Sequence, residues 1–539
     1  MTPRLLLLAI VALGLALLPA AASARGFSKG VASAEIKSTS ALVWTRADRP
    51  GRLTLQVSRD RRLRNPFISA GVQVSEGADN TIQVRVRKLR PNTRYHFRFT
   101  RPGGRSARGS FRTAPGSNSR RTVKFAWTGD SDPVREPGSG RLAFRPFGVF
   151  NQMRREGNDF NVNLGDTIYS DTDSQYEFVD PLALTIAAKR AKYRTMLGVA
   201  SLRKLRAGAG MYNHWDDHEF LNDFAIDQTN YPTASGTQPG QPARVQVVNG
   251  RTLYNAGATA FRNYMPVTYS DARGIYRSFR WGKNLELFFL DERSFRDAGA
   301  DEGGVCDNPP GSGTRDFAPT APQRIRSLFA AVVPALGTPP PPACLARIKD
   351  PSRDFLGAGQ YARFTNAIKR SKATFKVIMN ELPIQQFYAD PYDRWEGYEA
   401  ERKRLVGFLR DNVKNVVFLT ADVHANLVND VRLQTLEEGG PQNSGILEVT
   451  TGPAGTDSFR DDLNDETNNP QTGDLANQFF FTRQPPDGPG IRCSNLDVFS
   501  YGQVKVTRRA LTIALRDANG DAVQGADGER CGPYVVKRR

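Results

Sequence analysis

Four segments of this chain set acids beside groups that bind cations or move protons. They are Gly129-Asp130-Ser131-Asp132, Gly165-Asp166-Thr167-Ile168-Tyr169, His214-Trp215-Asp216-Asp217-His218-Glu219-Phe220-Leu221-Asn222 and Ala421-Asp422-Val423-His424. One acid after an apolar run reads as a helix cap, but four such segments in order are more than capping accounts for. Carboxylate, amide and phenol oxygens gathered in one crevice suit hard cations. Cations held about 3.5–4 Å apart in such a crevice can activate a water as nucleophile. The chain has 539 residues but only four histidines and four cysteines, which disfavours a His-rich zinc or copper centre and points to calcium, manganese or ferric iron.

Such acids need a scaffold that converges them. Three of the segments follow short apolar runs at 123–127, 160–164 and 416–419, and further runs occur at 285–290, 375–379 and 446–449. Helix-like stretches at 181–196 and 400–409 lie between runs. This alternation predicts an α/β layered domain over residues 117–539. The carboxyl ends of strands in such a sheet face the ligand crevice, which is where the acids fall. A Pro/Gly-rich stretch at 303–342 reads as a disulfide-ordered insertion or surface loop rather than core.

The excess of positive charge belongs elsewhere. Of a formal net charge of +19, residues 25–116 carry +15, from 20 Lys plus Arg and 5 Asp plus Glu. This part alternates apolar and polar residues in Thr81 to Arg87 and in Arg94 to Phe99, as half-buried strands of a small all-β sandwich do. Ile82, Val84, Val86, Tyr95, Phe97 and Phe99 are expected inside. Arg85, Arg87, Arg94 and Arg98, with His96, are expected to share an outer face that fits anionic cell-wall polymer or lipid headgroups, or is simply solvated. Nucleic acid fits least, because no aromatic interleaving supports base stacking. Leu89 to Tyr95 is similar to the strand-turn signature of fibronectin type III domains. Before it, Arg4, the apolar run 5–18, Pro19 and Ala22-Ser23-Ala24 read as a secretory signal peptide over 1–24. Export permits disulfides. Sequence order suggests Cys306 with Cys344 and Cys493 with Cys531, although four cysteines allow three connectivities.

The order G-D-x-D, G-D-x-x-Y, W-D-D-H-E-x-x-N, A-D-V-H resembles the metallophosphoesterase superfamily, specifically its PhoD-like alkaline phosphatase and phosphodiesterase branch. Leu290-Asp291-Glu292-Arg293-Ser294-Phe295-Arg296-Asp297 is similar to that branch's L-D-x-R-x-x-R-D segment, and residues 30–46 to the start of its N-terminal sandwich. The resemblance implies a β-sheet sandwich flanked by helices and a multinuclear site holding Fe3+ and Ca2+, with Mn2+ or another divalent ion as the substitute. Asp166 takes the bridging position and Tyr169 that of a phenolate ligand to iron. Asp422 and His424 match the last ligand pair, and Asn222 an amide ligand. Asp130 stands where many members have cysteine, and Asp132 where the superfamily has the histidine of D-x-H. His218 is the expected acid or transition-state donor, with Asp217 orienting it and Trp215 excluding water. His214 is expected to be structural. Arg293 or Arg280 is expected either to clamp phosphate or to form a structural ion pair.

The expected activity is therefore secreted, metal-dependent hydrolysis of phosphate mono- or diesters by metal-activated hydroxide, in a monomer. Two alternatives compete. A GDSL-type serine esterase would use Ser131, but Asp422-Val423-His424 is one residue short of its D-x-x-H pair. A non-enzymatic, calcium-stabilised wall-binding protein explains the basic sandwich but not Tyr169, His218 and His424 in motif order.

Overall fold

The computed structural model of the protein describes residues 26–102, 106–144, 147–171, 182–229, 231–235, 244–481, 483 and 488–539. The expected signal peptide lies outside them. Among the described residues no helix is long and apolar enough to cross a membrane.

The basic N-terminal part is all β. Val31–Ala34, Ala41–Arg46 and Thr81–Val86 form a three-stranded sheet, and Ile68–Val74, Gly51–Ser58, Arg94–Thr100 and Ser106–Arg112 a four-stranded one, in these orders. Alternation works as expected along Arg94–Thr100, where Tyr95, Phe97 and Phe99 are buried while Arg94, His96 and Arg98 point out. The single arginine face does not form. Thr81–Val86 and Arg94–Thr100 belong to different sheets, so their outward rows face away from each other. The outer face of the three-stranded sheet is also occupied. Arg85 Nη2 donates to Thr268 Oγ1 at 2.7 Å, Val267 N donates to Gln83 Oε1 at 3.2 Å, and the buried Trp44 donates Nε1 to Asn263 O at 2.7 Å. Period-two alternation tells inside from outside but not which sheet a strand joins.

The remainder is built on two mixed sheets. One has the order Gly210–His214, Phe160–Leu164, Val123–Thr128, Ser500–Val506, Ala510–Asp517, Tyr534–Lys537, its first three strands parallel. The other has the order Arg277–Trp281, Leu285–Phe289, Phe375–Met379, Val416–Thr420, Gln442–Thr450, Asn426–Gln434, Ile491–Asn495, with a parallel run from Leu285–Phe289 to Gln442–Thr450. Phe125, Trp127, Phe160 and Val162 from the first sheet share one core with Leu287, Phe289, Val377 and Leu419 from the second. Being buried on both faces, these strands read as short continuous apolar runs rather than as alternation. The helices Gly148–Arg155, Ile186–Met196, Ala200–Gly208 and Gly250–Tyr264 form a second apolar cluster with Trp44, and Ala358–Arg370 and Glu399–Asn412 cover the second sheet.

The expected helix at 181–196 starts at Ile186, because Thr185 caps it by accepting from Ala188 N at 3.2 Å. The Pro/Gly-rich stretch is tied at its base by the Cys306–Cys344 bridge, and Cys493 joins Cys531. Closing a loop of this length is worth about 4 kcal/mol in the chain-entropy picture. The stretch is more than surface loop: Ala318, Ala321 and Leu336 pack with Phe387, Tyr388 and Phe480 in an apolar cluster of their own.

Candidate metal centre

The loops that leave the parallel strands of both sheets meet in one acidic cleft of about 670 Å³. Asp130 follows Val123–Thr128, Asp166 follows Phe160–Leu164, Asp216 to His218 follow Gly210–His214, and Asp422 and His424 follow Val416–Thr420. Asp130, Asp166, Asp422 and His424 all have left-handed backbone, with φ of 57°, 45°, 68° and 50°. Such conformations are uncommon outside glycine and collect where a functional geometry is imposed. Gly165, at φ 104°, admits the closest approach: a Cβ there would lie 2.5 Å from Asp216 Cβ. That contact brings the second and third motifs together.

Ligating atoms of Asp130, Asp166 and His424 lie within 4.8 Å of one another, as do those of Asp166, Asp217 and His218, of Asp216, Asp217 and Asp422, and of Asp217, Asp223 and Asp393. Asp130 Oδ2 is buried without a hydrogen-bond partner, and a buried orphan carboxylate oxygen facing other ligand atoms fits a cation. Burial pushes the Asp130 carboxyl up to about 6, with His424 pulling the other way. Burial and the neighbouring Asp217, Asp216 and Glu219 hold Asp166 well above the usual carboxylate range. Burial, with Asp166 and Asp130 beside it, holds the Tyr169 hydroxyl well above the usual tyrosine range. Positive charge in the cluster would reverse each of these shifts. The Tyr169 hydroxyl is 3.0 Å from His424 Nε2 and its ring stacks on His218, with centroids 4.1 Å apart. The side chain of Asn222 lines the same cleft.

Several expected roles change. His218 is oriented by Asp171, whose Oδ1 is 2.7 Å from His218 Nδ1. Asp217 instead accepts backbone N–H groups of His218 and Asp223, at 2.8 and 2.7 Å. Burial opposes the charged form of His218, but Asp171 and Asp217 outweigh it and push its pKa up to about 10. Trp215 does not wall the cleft. It is fully buried, donates Nε1 to Asp291 Oδ1 at 3.1 Å, and sits among Phe220, Tyr254 and Phe261. Asp132 joins none of the four ligand groups; its Oδ1 accepts from Val134 N at 3.0 Å. Arg293 is not free for phosphate. Its Nε donates to Asp216 Oδ1 at 2.6 Å and Nη1 to Asp393 Oδ1 at 2.7 Å, with Nη2 3.7 and 3.6 Å from Asp217 and Asp422. Arg280 lies away in a strand, bonded to Glu286 and Gly282. His214 is buried against Trp215 O and Glu381, and burial lowers its pKa well below the usual histidine value. Ser131 Oγ is buried and donates to Asp166 O at 3.3 Å, with no histidine beside it among the described residues.

Other residues complete the centre. Glu219 accepts the backbone N–H groups of Asp166, Thr167 and Asp216 at 3.1, 2.8 and 2.8 Å, locking two motif loops together. Arg315, carried by the Pro/Gly-rich insertion, reaches the cleft and bonds Asp223, Asp301, Asp390 and Glu466 at 2.9–3.4 Å. Asp171 could have been read from its place two residues after Tyr169; nothing local marks Arg315.

Two mixed sheets packed face to face, with acids at the ends of their parallel strands, define a metallophosphoesterase-like protein. The PhoD-like phosphatase model matches residues 140–515, and that of its N-terminal domain residues 14–115. The chain therefore belongs to the PhoD-like phosphatase family and is a phosphoric ester hydrolase. Asp130 and Asp132 fall between the two matched regions. The chain is 26% identical over 475 residues to alkaline phosphatase D of Bacillus subtilis strain 168, covering 81% of this chain and 71% of that protein. A solved structure of PhoD matches with a TM-score of 0.67 at 19% identity, over 96% of this chain and 90% of that one. The purple acid phosphatase PPD1 of yellow lupin shares the fold more distantly, with a TM-score of 0.51 at 12% identity, over 94% and 74% of the two chains.

Proposed function

We propose that the protein is a secreted, metal-dependent alkaline phosphatase or phosphodiesterase acting on small phosphate esters in the acidic cleft. The observation that carries this reading is the group of buried Asp130 and Asp166 with half-buried His424, Asp130 Oδ2 being unpartnered. Its donor set of carboxylate, phenol, amide and one imidazole fits Fe3+ beside Ca2+, with Mn2+ as substitute. Asp130, Asp166, Tyr169 and His424 would hold the first cation, and Asp166, Asp217, Asn222 and Asp422 the others. Such cations supply Lewis acidity to the reacting phosphoryl oxygens. His218, kept protonated by Asp171, would give its proton to the leaving oxygen. Arg293 is a positioning residue that fixes Asp216, Asp393, Asp217 and Asp422 around the cleft.

The leader-like residues 1–24 and the two disulfides support export to an oxidising compartment. The three-plus-four strand arrangement of residues 25–116 supports a fibronectin III-like sandwich set before a catalytic part at 117–539. The test is metal analysis of the purified protein together with rates on p-nitrophenyl phosphate and bis-p-nitrophenyl phosphate. Asp166→Asn should remove bound metal and turnover while leaving the fold intact, and Tyr169→Phe should remove any visible absorption from phenolate on iron. Full activity after thorough chelation would sink the proposal.

A further inference from the structure

The seam between the sandwich and the catalytic part contains a second cavity, of about 780 Å³, whose chemistry is opposite to that of the acidic cleft. Lys37 reaches it from the sandwich, Arg273 from the loop before Arg277–Trp281, and Arg363 and Arg370 from the helix Ala358–Arg370. Glu35 is the one acid among its lining residues, and it is already engaged by Arg277 Nε at 2.8 Å. Lys37, Arg273, Arg363 and Arg370 have no carboxylate within ion-pair distance among the described residues. Arg363 spends one nitrogen on Ala272 O at 3.0 Å, and its Nε is buried with no partner. Lys37, Arg273 and Arg370 are exposed. Four cations from three separate segments line one groove with no free carboxylate among its lining residues, which gives it a positive potential that favours an anion. At the rim, Arg85 touches Thr268, which lines the groove, so the sandwich contributes a further positive charge.

We infer that this groove binds a flexible linear polyanion carrying repeated phosphate groups. The pattern favours such a chain over nucleic acid. Of the aromatic rings at the groove, Phe279 is buried, Tyr269 already carries Arg262 over its ring at 4.5 Å, and Tyr276 packs on the apolar cluster beneath the helix Ala358–Arg370, so none is a free platform for base stacking. A chain of phosphates needs only cations at intervals, supplied by side chains long enough to adjust. The groove is also tied to the acidic cleft. Ile275, buried between the lining residues Gly274 and Tyr276, donates its N–H to Asp291 Oδ2 at 2.8 Å, and Asp291 Oδ1 holds Trp215 of the third motif. The inference does not depend on the phosphohydrolase reading, because its readout is binding.

The test is equilibrium binding of labelled inorganic polyphosphate to the full chain at several salt concentrations. The combined variant Lys37→Ala, Arg273→Ala, Arg363→Ala, Arg370→Ala should bind at least tenfold more weakly and lose about three units of the log–log salt slope, as expected when several phosphate contacts disappear. Arg94→Ala with Arg98→Ala, on the outer face of the four-stranded sheet, should bind as wild type does. The double variant Arg273→Glu, Arg370→Glu changes only exposed side chains, so it tests the groove even if the fourfold variant fails to fold; it should weaken binding by a similar factor. Wild-type affinity in the charge-reversed variant, equal loss in the Arg94 and Arg98 variant, or tighter binding of duplex DNA through the same four residues would overturn the assignment.

Discussion

His218 Nδ1 lies 2.7 Å from Asp171 Oδ1, and the other Asp171 oxygen accepts Asn222 N at 2.6 Å. One carboxylate thus orients the proposed proton donor and anchors the loop bearing the proposed amide ligand. The histidine returns the favour: against the effect of burial, it holds Asp171 below the usual carboxylate range. Asp171→Asn should lower kcat by roughly 10–100-fold, the usual cost of losing an orienting partner, with KM little changed and bound metal retained. Asp171→Glu should recover part of the loss. Steady-state rates and metal analysis of both variants check this; unchanged kcat in Asp171→Asn means His218 is not positioned by it.

Arg293 is fully buried with carboxylates on every side. Removing one partner of a buried ionic group leaves the others uncompensated, which costs about 3–5 kcal/mol. Arg293→Met should therefore unfold at markedly lower denaturant concentration, and Arg293→Lys, which keeps the charge but loses the planar fork, should fall between. Added metal should narrow the gap to wild type, since cations offset the same acids. Denaturation curves with and without metal measure this, and a Met variant as stable as wild type contradicts the role.

Arg315 is the only residue of the Pro/Gly-rich insertion whose charge is shared by four acids at the cleft. It lines both the main cleft and an adjoining polar cavity of about 390 Å³. Unlike the fully buried Arg293, Arg315 keeps 26% of its side chain exposed, so its guanidinium can exchange part of this pairing for the non-reacting part of a phosphate ester. Arg315→Ala should raise KM for bis-p-nitrophenyl phosphate several-fold more than it lowers kcat. The reverse split would assign Arg315 to the chemical step.

The sequence made strand ends with acids legible because each is a short apolar run closed by a left-handed residue and followed by polar groups, a local signal. Asp130, Asp166 and His424 meet for that reason, with Asp422 N donating to Asp130 Oδ1 at 3.3 Å. What escaped was set by distance along the chain. The motifs place Trp215 at the cleft and leave Arg293 between phosphate clamp and structural ion pair, and the neighbours that decide, Asp291, Asp393 and the Gly250–Tyr264 helix, come from other segments. The arginine rows of the sandwich were separated by a sheet partition that alternation cannot report. Arg315 enters from a segment whose composition reads as loop, and only its apolar cluster with Phe387 and Phe480 fixes where that segment docks.

Glu448 offers a test of the scaffold away from the cleft. Its carboxylate, fully buried in the strand Gln442–Thr450, accepts the backbone N–H groups of Ile384 and Gln385 at 2.7 and 3.1 Å. Burial outweighs those hydrogen bonds and pushes its pKa up to about 7 from an ordinary 4.5. Between these values the folded chain binds the proton and the unfolded chain does not, so this group's contribution is greatest below about 4.5 and is lost as pH rises through 7. A shift of this size corresponds to on the order of 3 kcal/mol. Glu448→Gln keeps an acceptor for the loop and cannot titrate. Relative to wild type the variant should gain stability as pH rises from 5 to about 7 and level off above that, read from denaturation midpoints at each pH. A constant difference across that interval means that Glu448 stays ionised in the folded protein.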